Sequence, residues 1–253
     1  MILFLKRIIF LTYISMKKYW HNPKRVLLKL SWEALQWELG YGIDPWFLKF
    51  LAGKVAALKK KSVEVVIVIG GWNIFRWALL EAGWMDRSMG DYMGMLATMI
   101  NGIALGEALK EQDIDVRVMS AVPTPKVCEE FIRLRALRHI EKGRVVICVG
   151  GTWNPYFTTD STAILRALEL ECDCVVKWTK VNGVYDKDPK KHADAIRYEI
   201  ISLEEALHKG LRIMDQSAIA LAKDESMPIF VCRIEDIDKI DEEDLEGTYV
   251  HAK

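Results

Sequence analysis

Short apolar runs alternate with longer amphipathic stretches from Lys24 to the end of the chain. The runs predict strands over 25–30, 63–69, 116–119, 145–149, 174–177 and 229–232. Helical spacing of the apolar positions predicts helices over 44–60, 90–112, 126–141, 160–171, 203–209 and 215–225. The run over 63–69 is almost entirely β-branched, as is typical of a strand buried on both faces of a parallel sheet. This alternation predicts an α/β fold, a three-layer αβα sandwich with a mainly parallel central sheet.

Small and polar residues follow several of the predicted strands. They are Ser31, Gly70-Gly71, Gly150-Gly151-Thr152 and Thr179. In such folds ligands bind outside the carboxyl ends of the strands. Glycine in these turns lets backbone N–H groups approach an anion, although a tight structural turn is the simpler interpretation of each turn alone.

Four charged side chains near these turns are candidates for phosphate or sugar binding. Lys29 lies at a strand end, where a lysine can neutralise transferring phosphoryl oxygens. Arg76 and Arg87 fit either phosphate forks or exposed charges. Asp91 could accept sugar hydroxyls or cap a helix.

Composition excludes several classes of function. The 253 residues carry 35 basic and 35 acidic side chains, so no global field attracts nucleic acid or an anionic membrane. Five cysteines without a C-x-x-C motif indicate reduced thiols and a cytoplasmic protein. The five histidines show no metal-ligand spacing, and no protein metal site is predicted.

The N-terminus is compositionally different from the rest of the chain. Residues 1–15 are apolar but too short to span a bilayer, and Lys6 and Arg7 interrupt them. Our interpretation is a start assigned too early, with translation beginning at Met16; a membrane-associated amphipathic arm is the alternative. We therefore expect an extension over 1–23 and one domain over 24–253.

Two polar segments carry the most distinctive chemistry. Residues 152–161 concentrate hydroxyls, the aromatic pair Tyr156-Phe157 and an acid between a strand and a helix, which Thr159 or Asp160 could cap. Residues 177–189 follow another strand and contain the turn signals Gly183 and Asp188-Pro189.

Taken together in order, these motifs resemble those of bacterial uridylate kinases, in the amino acid kinase superfamily. The matching segments are KLSWEAL at 29–35, GGWNIFRW at 70–77, GDYMGMLAT at 90–98, ING at 100–102, GTWNPYFTTD at 151–160, the segment 177–189, and Met214-Asp215. The resemblance spans about 24–249. It implies the amino acid kinase fold and phosphoryl transfer from ATP to UMP with Mg²⁺.

The resemblance also implies roles for individual residues. It places Lys29, Leu30, Ser31, Trp32, Trp72, Arg76, Thr179, Tyr185 and Asp188 on the ATP side. It places Gly71, Asp91, Thr152, Trp153, Asn154, Pro155, Tyr156, Phe157, Thr158 and Thr159 on the UMP side. Lys29 and Arg76 would stabilise the transferred group, and Asp160 would orient Lys29 or organise Mg²⁺.

Regulation and assembly are implied in the same way. The family is typically a homohexamer activated by GTP and inhibited by UTP. The loop Trp37, Glu38, Leu39, Gly40, Tyr41 and Gly42 corresponds to the region linked to GTP activation.

Tryptophan replaces glycine at positions where the family favours glycine. Seven of the nine tryptophans are such departures: Trp32, Trp37, Trp72, Trp77, Trp84, Trp153 and Trp178. One residue type at seven such sites suggests UGA codons that mean glycine but were translated as tryptophan. If the tryptophans are real, we expect indoles in the phosphate space and strain of ~1–3 kcal/mol at positive-φ positions.

Two other functions remain open on the sequence alone. A nucleotide-binding pseudoenzyme would use the tryptophans to stack on bases, for example those of single-stranded nucleic acid. A kinase acting on a carboxylate would belong to the same superfamily, but the stretch 154–160 fits UMP better.

Overall fold

The fold was described from a computed structural model, over residues 23–31, 42–74, 85–211, 213–240 and 245–252. Of the predicted N-terminal extension over 1–23, only Pro23 lies within these ranges. No helix in the described ranges is long and apolar enough to cross a membrane.

A nine-stranded sheet forms the centre of the molecule. Its strands are β1 (Arg25–Leu30), β2 (Glu64–Ile69), β3 (Val116–Ser120), β4 (Glu129–Glu130), β5 (Val145–Val149), β6 (Cys174–Thr179), β9 (Ile200–Ser202), β10 (Ile229–Arg233) and β11 (Thr248–His251). The order across the sheet is β4-β3-β5-β2-β1-β6-β10-β11-β9. Among the described strands of this sheet, only the β10–β11 pair is antiparallel. A separate hairpin joins β7 (Val184–Tyr185) to β8 (Arg197–Tyr198).

Helices cover both faces of this sheet. They are α1 (Pro45–Lys60), α2 (Arg87–Lys110), α3 (Arg133–Glu141), α4 (Thr159–Glu169), α5 (Leu203–His208) and α6 (Gln216–Asp224), followed by a 3₁₀ helix at Ile234–Lys239. Side-chain oxygens cap most of their N-termini. Asp44 caps α1, Asp86 caps α2, Thr158 caps α4 and Asp215 caps α6.

Alternation along the central strands produces two separate cores. Val26, Leu28 and Leu30 of β1 pack on the face covered by α1 and α2. Leu27, between them, packs on the opposite face with α3 to α6. Strands buried on both sides with helices outside them confirm the predicted three-layer sandwich and its mainly parallel sheet.

The predicted helix over 126–141 is wrong in its first half. Glu129–Glu130 forms β4, which pairs in parallel with Met119 and Ser120, and the helix begins only at Arg133. The pairing partner is distant in sequence, so local apolar periodicity could not indicate it. The sequence also did not predict β7, β8, β9, β11 or the 3₁₀ helix, because elements of two to six residues carry little periodic signal.

Trp178 fills the core between β6 and α1. Its side chain is buried, and its ring stacks on Phe47 with 5.5 Å between ring centroids. Among the described residues, no acceptor pairs with its indole Nε1. The packing therefore favours a large residue here, while the unpaired N–H costs about 1–3 kcal/mol.

We predict that Trp178→Ala lowers the free energy of unfolding by ~3–5 kcal/mol, because it leaves a cavity beneath α1. Urea denaturation measures the difference. Trp46→Ala is the control, since Trp46 is 81% exposed on the same helix layer and should change stability little. Unchanged stability in Trp178→Ala would show that α1 closes onto β6 and that a small residue suffices.

Candidate active site

A cavity of about 310 Å³ opens at the carboxyl ends of β1 and β2 and beside the loop after β5. Eleven of the predicted site residues line it: Lys29, Leu30, Ser31, Gly71, Trp72, Asp91, Tyr156, Phe157, Thr158, Thr159 and Asp160. The sequence had placed these residues on both the ATP side and the UMP side. The fold therefore brings the core of both predicted sets to one place.

A buried ion cluster lies at the strand ends. Lys29 Nζ is 2.7 Å from one carboxylate oxygen of Asp160, and Lys177 Nζ is 3.2 Å from the other. Lys29 and Lys177 are register partners on the neighbouring strands β1 and β6, so their side chains lie on the same face of the sheet. Asp160, in the first turn of α4, bridges them from above.

The charges of this cluster shift the pKa values of its own members. Burial would raise the pKa of the Asp160 carboxyl, but the charges and hydrogen bonds of Lys29 and Lys177 outweigh it and lower the pKa. Burial and the charge of Lys29 lower the pKa of Lys177, against the opposing effect of Asp160. Asp160 is therefore ionised at neutral pH, and the cluster can present positive charge to an anion.

Two helix N-termini meet beside this cluster. Thr158 caps α4 by accepting from the backbone N–H groups of Asp160 and Ser161. Asp215 caps α6 by accepting from Ala218 N, and it also accepts hydrogen bonds from the Thr158 and Ser161 hydroxyls. The positive ends of two helix dipoles thus add to the lysines, an arrangement suited to phosphate groups.

The capping alternatives for Thr159, Asp160 and Asp91 are wrong. Thr158 caps α4, because its hydroxyl is the one within reach of the free N–H groups. Asp86 caps α2, which begins three residues earlier than predicted, so Asp91 lies in the second turn. Its carboxylate instead accepts from Tyr156 N at 2.8 Å, leaving it at the cavity wall.

Arg87 closes the same wall. Its Nε lies 3.4 Å from the Asp91 carboxylate, and its guanidinium lies 5.3 Å from the centre of the Tyr156 ring. Arg87 lines the cavity, but its side chain is 48% exposed, so both interpretations of this residue stay predictions.

Glycines at two strand ends bring backbone close to α2. A Cβ on Gly71 would lie 2.4 Å from the carbonyl oxygen of Gly94, so only glycine allows this approach. Gly151 has φ +58°, in the left-handed region, and lines the cavity. Gly150 N donates to the Thr98 hydroxyl of α2 at 2.8 Å. One helix therefore fixes both turns.

Seven predicted site residues lie outside the cavity lining. Thr152, Trp153, Asn154 and Pro155 form a turn in which the Thr152 hydroxyl and the Asn154 backbone bond to each other. Thr179, Tyr185 and Asp188 lie in and after the end of β6, with their polar groups bonded locally: Thr179 to Val181 O, Tyr185 to Asn182, and Asp188 to Lys190 N. Their assigned roles stay predictions.

Seven other predicted residues lie wholly outside the described ranges. They are Trp32, Arg76, Trp37, Glu38, Leu39, Gly40 and Tyr41. Gly42 is the one described member of the loop assigned to GTP activation, and its φ is +81°.

The described tryptophans at family glycine positions occupy different environments. Trp72 lines the cavity, as expected for an indole in phosphate space, but its φ is not positive. Trp153 has φ +57°, which confirms the expected strained backbone, but its ring packs against Tyr92 outside the cavity lining. Trp178 belongs to the core.

Sequence reasoning gave no role to Lys177, Ser161 or Asp215. Lys177 begins the segment 177–189, and Asp215 follows Met214 in a recognised motif, so both signals were present. Their proximity to Lys29 and Asp160 depends on strand register and on the packing of α6 against α4, which no local pattern reveals.

Comparisons with known proteins agree with this geometry. Residues 24–233 match the amino acid kinase family. The chain is 53% identical over 206 residues to a uridylate kinase of Xanthomonas campestris pv. campestris, covering 81% of this chain and 86% of that protein. It is 53% identical over 212 residues to a uridylate kinase of Campylobacter jejuni subsp. jejuni, covering 83% and 89%.

Solved structures show the same fold. The UMP kinase from Bacillus anthracis superposes with a TM-score of 0.88 at 34% identity, over 92% of this chain and 98% of that chain. The UMP kinase from Ureaplasma parvum gives 0.86 at 35% identity, over 91% and 100%. With its cavity at the strand ends and these relatives across most of its length, the chain belongs to the amino acid kinase family and, within it, to the uridylate kinases.

Proposed function

We propose that this protein transfers the γ-phosphoryl group of ATP to UMP, giving ADP and UDP. The observation that carries the proposal is the Lys29–Asp160–Lys177 cluster, of which Lys29 and Asp160 line the cavity, in a chain 53% identical to uridylate kinases. Phosphoryl transfer depends mainly on positioning and on stabilising charge at the phosphoryl oxygens. Two lysines and two helix N-termini provide that charge.

The residues act on the two nucleotides as follows. Lys29 stabilises charge on the transferred group, with Arg76 assigned the same role. Asp160 holds Lys29 and Lys177 in place through its two carboxylate oxygens. Asp91 accepts hydrogen bonds from the ribose hydroxyls of UMP. The hydroxyls of Thr158 and Thr159 bind its uracil and phosphate region. No general base is needed, because the attacking oxygen of UMP is already anionic.

Mg²⁺ is proposed to enter with ATP. The described residues hold no group of three metal-ligating side chains. Mg²⁺ is commonly held by one or two carboxylates together with substrate phosphates and water, and Asp160 and Asp215 both line the cavity. When bound, the ion would neutralise charge on the β- and γ-phosphates.

We propose a cytoplasmic location and a single kinase domain for this protein. All five cysteines are unpaired and buried, which supports a reducing cytoplasmic environment. The family match over 24–233 supports one kinase domain after the N-terminal extension. Activation by GTP and inhibition by UTP remain predictions from the family.

We propose a homo-oligomer, with the family's hexamer as the expected form. Met89, Met93, Leu96 and Ile100 are exposed and recur along one side of α2 at helical spacing. A monomer rarely exposes an apolar stripe of this kind, and such stripes mark protein interfaces. The stripe lies on the helix that also carries Asp91, so an interface formed by the stripe would lie next to the site.

We predict that Asp160→Asn lowers kcat/KM for UMP by roughly 100-fold, because Lys29 and Lys177 lose the charge that positions them. ADP formation with UMP and ATP measures it. Asp224→Asn, which neutralises an exposed carboxylate at the end of α6, is the control and should leave activity unchanged. Equal activity of the two variants would remove Asp160 from the mechanism.

We predict that Trp72→Gly raises kcat/KM by about ten-fold or more, a gain of ~1.4 kcal/mol in the transition state, because the indole leaves the phosphate space. Trp46→Gly, outside the cavity, should give no gain. A loss of activity in Trp72→Gly would show that the indole belongs in the site.

The protein with glycine at all seven positions extends this test. We expect ADP formation with UMP, and little with CMP or acetylglutamate. Equal turnover with acetylglutamate would favour the carboxylate kinase, and no turnover of the folded protein with any of the three acceptors would contradict the kinase. Independently, UGG codons at Trp32, Trp72 and Trp153 in the gene would refute the decoding hypothesis.

We predict that the double variant Leu96→Glu/Ile100→Glu dissociates the oligomer, because charges would be buried at the interface. Size-exclusion chromatography with light scattering measures the mass. Val127→Glu introduces a charge at an exposed apolar position away from α2 and should leave the mass unchanged. Retention of the full mass in the double variant would exclude the α2 stripe as the interface.

A further inference from the structure

Asn73 and Asn101 form a buried amide pair beside the cavity. Both residues are completely buried, which is unusual for polar side chains that carry no charge. Asn73 Nδ2 donates to Asn101 Oδ1 at 3.0 Å, and Asn101 Nδ2 donates to Asn73 Oδ1 at 2.6 Å. The two amides thus exchange hydrogen bonds between the turn after β2 and the middle of α2.

The remaining N–H of each amide holds a backbone carbonyl. Asn73 Nδ2 donates to Gly42 O at 2.8 Å, and Asn101 Nδ2 donates to Gly70 O at 2.7 Å. All four amide N–H groups are therefore used, and a flip of either amide would turn its oxygen towards a carbonyl oxygen. The backbone adds a further bond, from Gly42 N to Asn73 O at 2.9 Å.

The bond to Gly70 O sets the direction of the next N–H group. Gly70 O and Gly71 N belong to one planar trans peptide, so the C=O and the N–H point in opposite directions. Anchoring the carbonyl on Asn101 aims the Gly71 N–H away from the amide pair. Gly71 lines the cavity, and no acceptor among the described residues takes its N–H.

We propose that Asn73 and Asn101 are positioning residues for the acceptor nucleotide: their paired amides hold Gly70 so that the Gly71 N–H faces the cavity and binds its phosphate. This inference rests on the proposed function. Bare backbone N–H groups bind anions well, and their direction decides whether they reach one. The same pair joins Gly42 to this turn through the hydrogen bond from Asn73 to Gly42 O.

The test separates positioning from packing. Asn101→Leu leaves Asn73 Oδ1 and Gly70 O without their donor. The double variant Asn73→Leu/Asn101→Leu replaces both amides with apolar groups of similar size. Stability should fall in the single variant and partly recover in the double one. KM for UMP should rise about ten-fold or more in both, because Gly70 is unanchored in both. KM for ATP should stay within about two-fold.

The control is Val55→Ala, which removes buried volume from α1 far along the chain from this turn. It should lower stability without changing KM for UMP. If KM for UMP instead follows stability, recovering in the double variant or rising in Val55→Ala, the asparagines only support packing and the proposal is overturned.

Hydrogen exchange distinguishes failure of this inference from failure of the proposed function. If the unmodified protein forms no ADP with UMP, the kinase proposal fails, and the pair is judged by exchange alone. Asn101→Leu should then accelerate amide exchange at residue 42 and over 70–74, relative to Val55→Ala. Unchanged exchange in those segments would overturn the positioning role whether or not the protein is active.

Discussion

Two lysines side by side on neighbouring strands are the constraint on which the site depends. Lys29 and Lys177 face each other in register across β1 and β6, where their like charges repel in a largely buried position. Asp160 compensates both, which requires the first turn of α4 to lie directly over these strand ends. The short loop between β5 and α4, with Gly150 and Gly151 in left-handed conformations, places it there.

The surroundings of this cluster follow from the same placement. Because α4 begins at the cluster, its N-terminal N–H groups and its cap Thr158 face the cavity as well. Asp215 contacts Thr158 and Ser161, so the start of α6 is held at the same point. On the other side, α2 holds Gly150 through Thr98 and Gly70 through Asn101. The cavity is thus bounded by three helices fixed to the same strand ends.

The tryptophans at family glycine positions occupy distinct environments in this structure. Of the seven positions, Trp72, Trp153 and Trp178 lie in the described ranges, and they differ in what surrounds them. Trp72 occupies the cavity wall, Trp153 strains the backbone at a position suited to glycine, and Trp178 fills a core that a glycine would leave open. The environments of Trp72 and Trp153 therefore support the decoding hypothesis. The environment of Trp178 favours a large residue and so argues against glycine at that position.

The sequence by itself determined the sandwich, its parallel sheet and most of the cavity residues. Runs such as 63–69 report burial on both faces directly, and motifs at strand ends must meet because the strands are parallel. Only the tertiary structure decided that Lys177 and Asp215 join Lys29 and Asp160, that Asn73 pairs with Asn101, and that 129–130 is a strand. Each depends on partners that are separated along the chain, for example Asn73 and Asn101 by 28 residues and Ser161 and Asp215 by 54. Their proximity arises from strand register and helix packing rather than from local pattern.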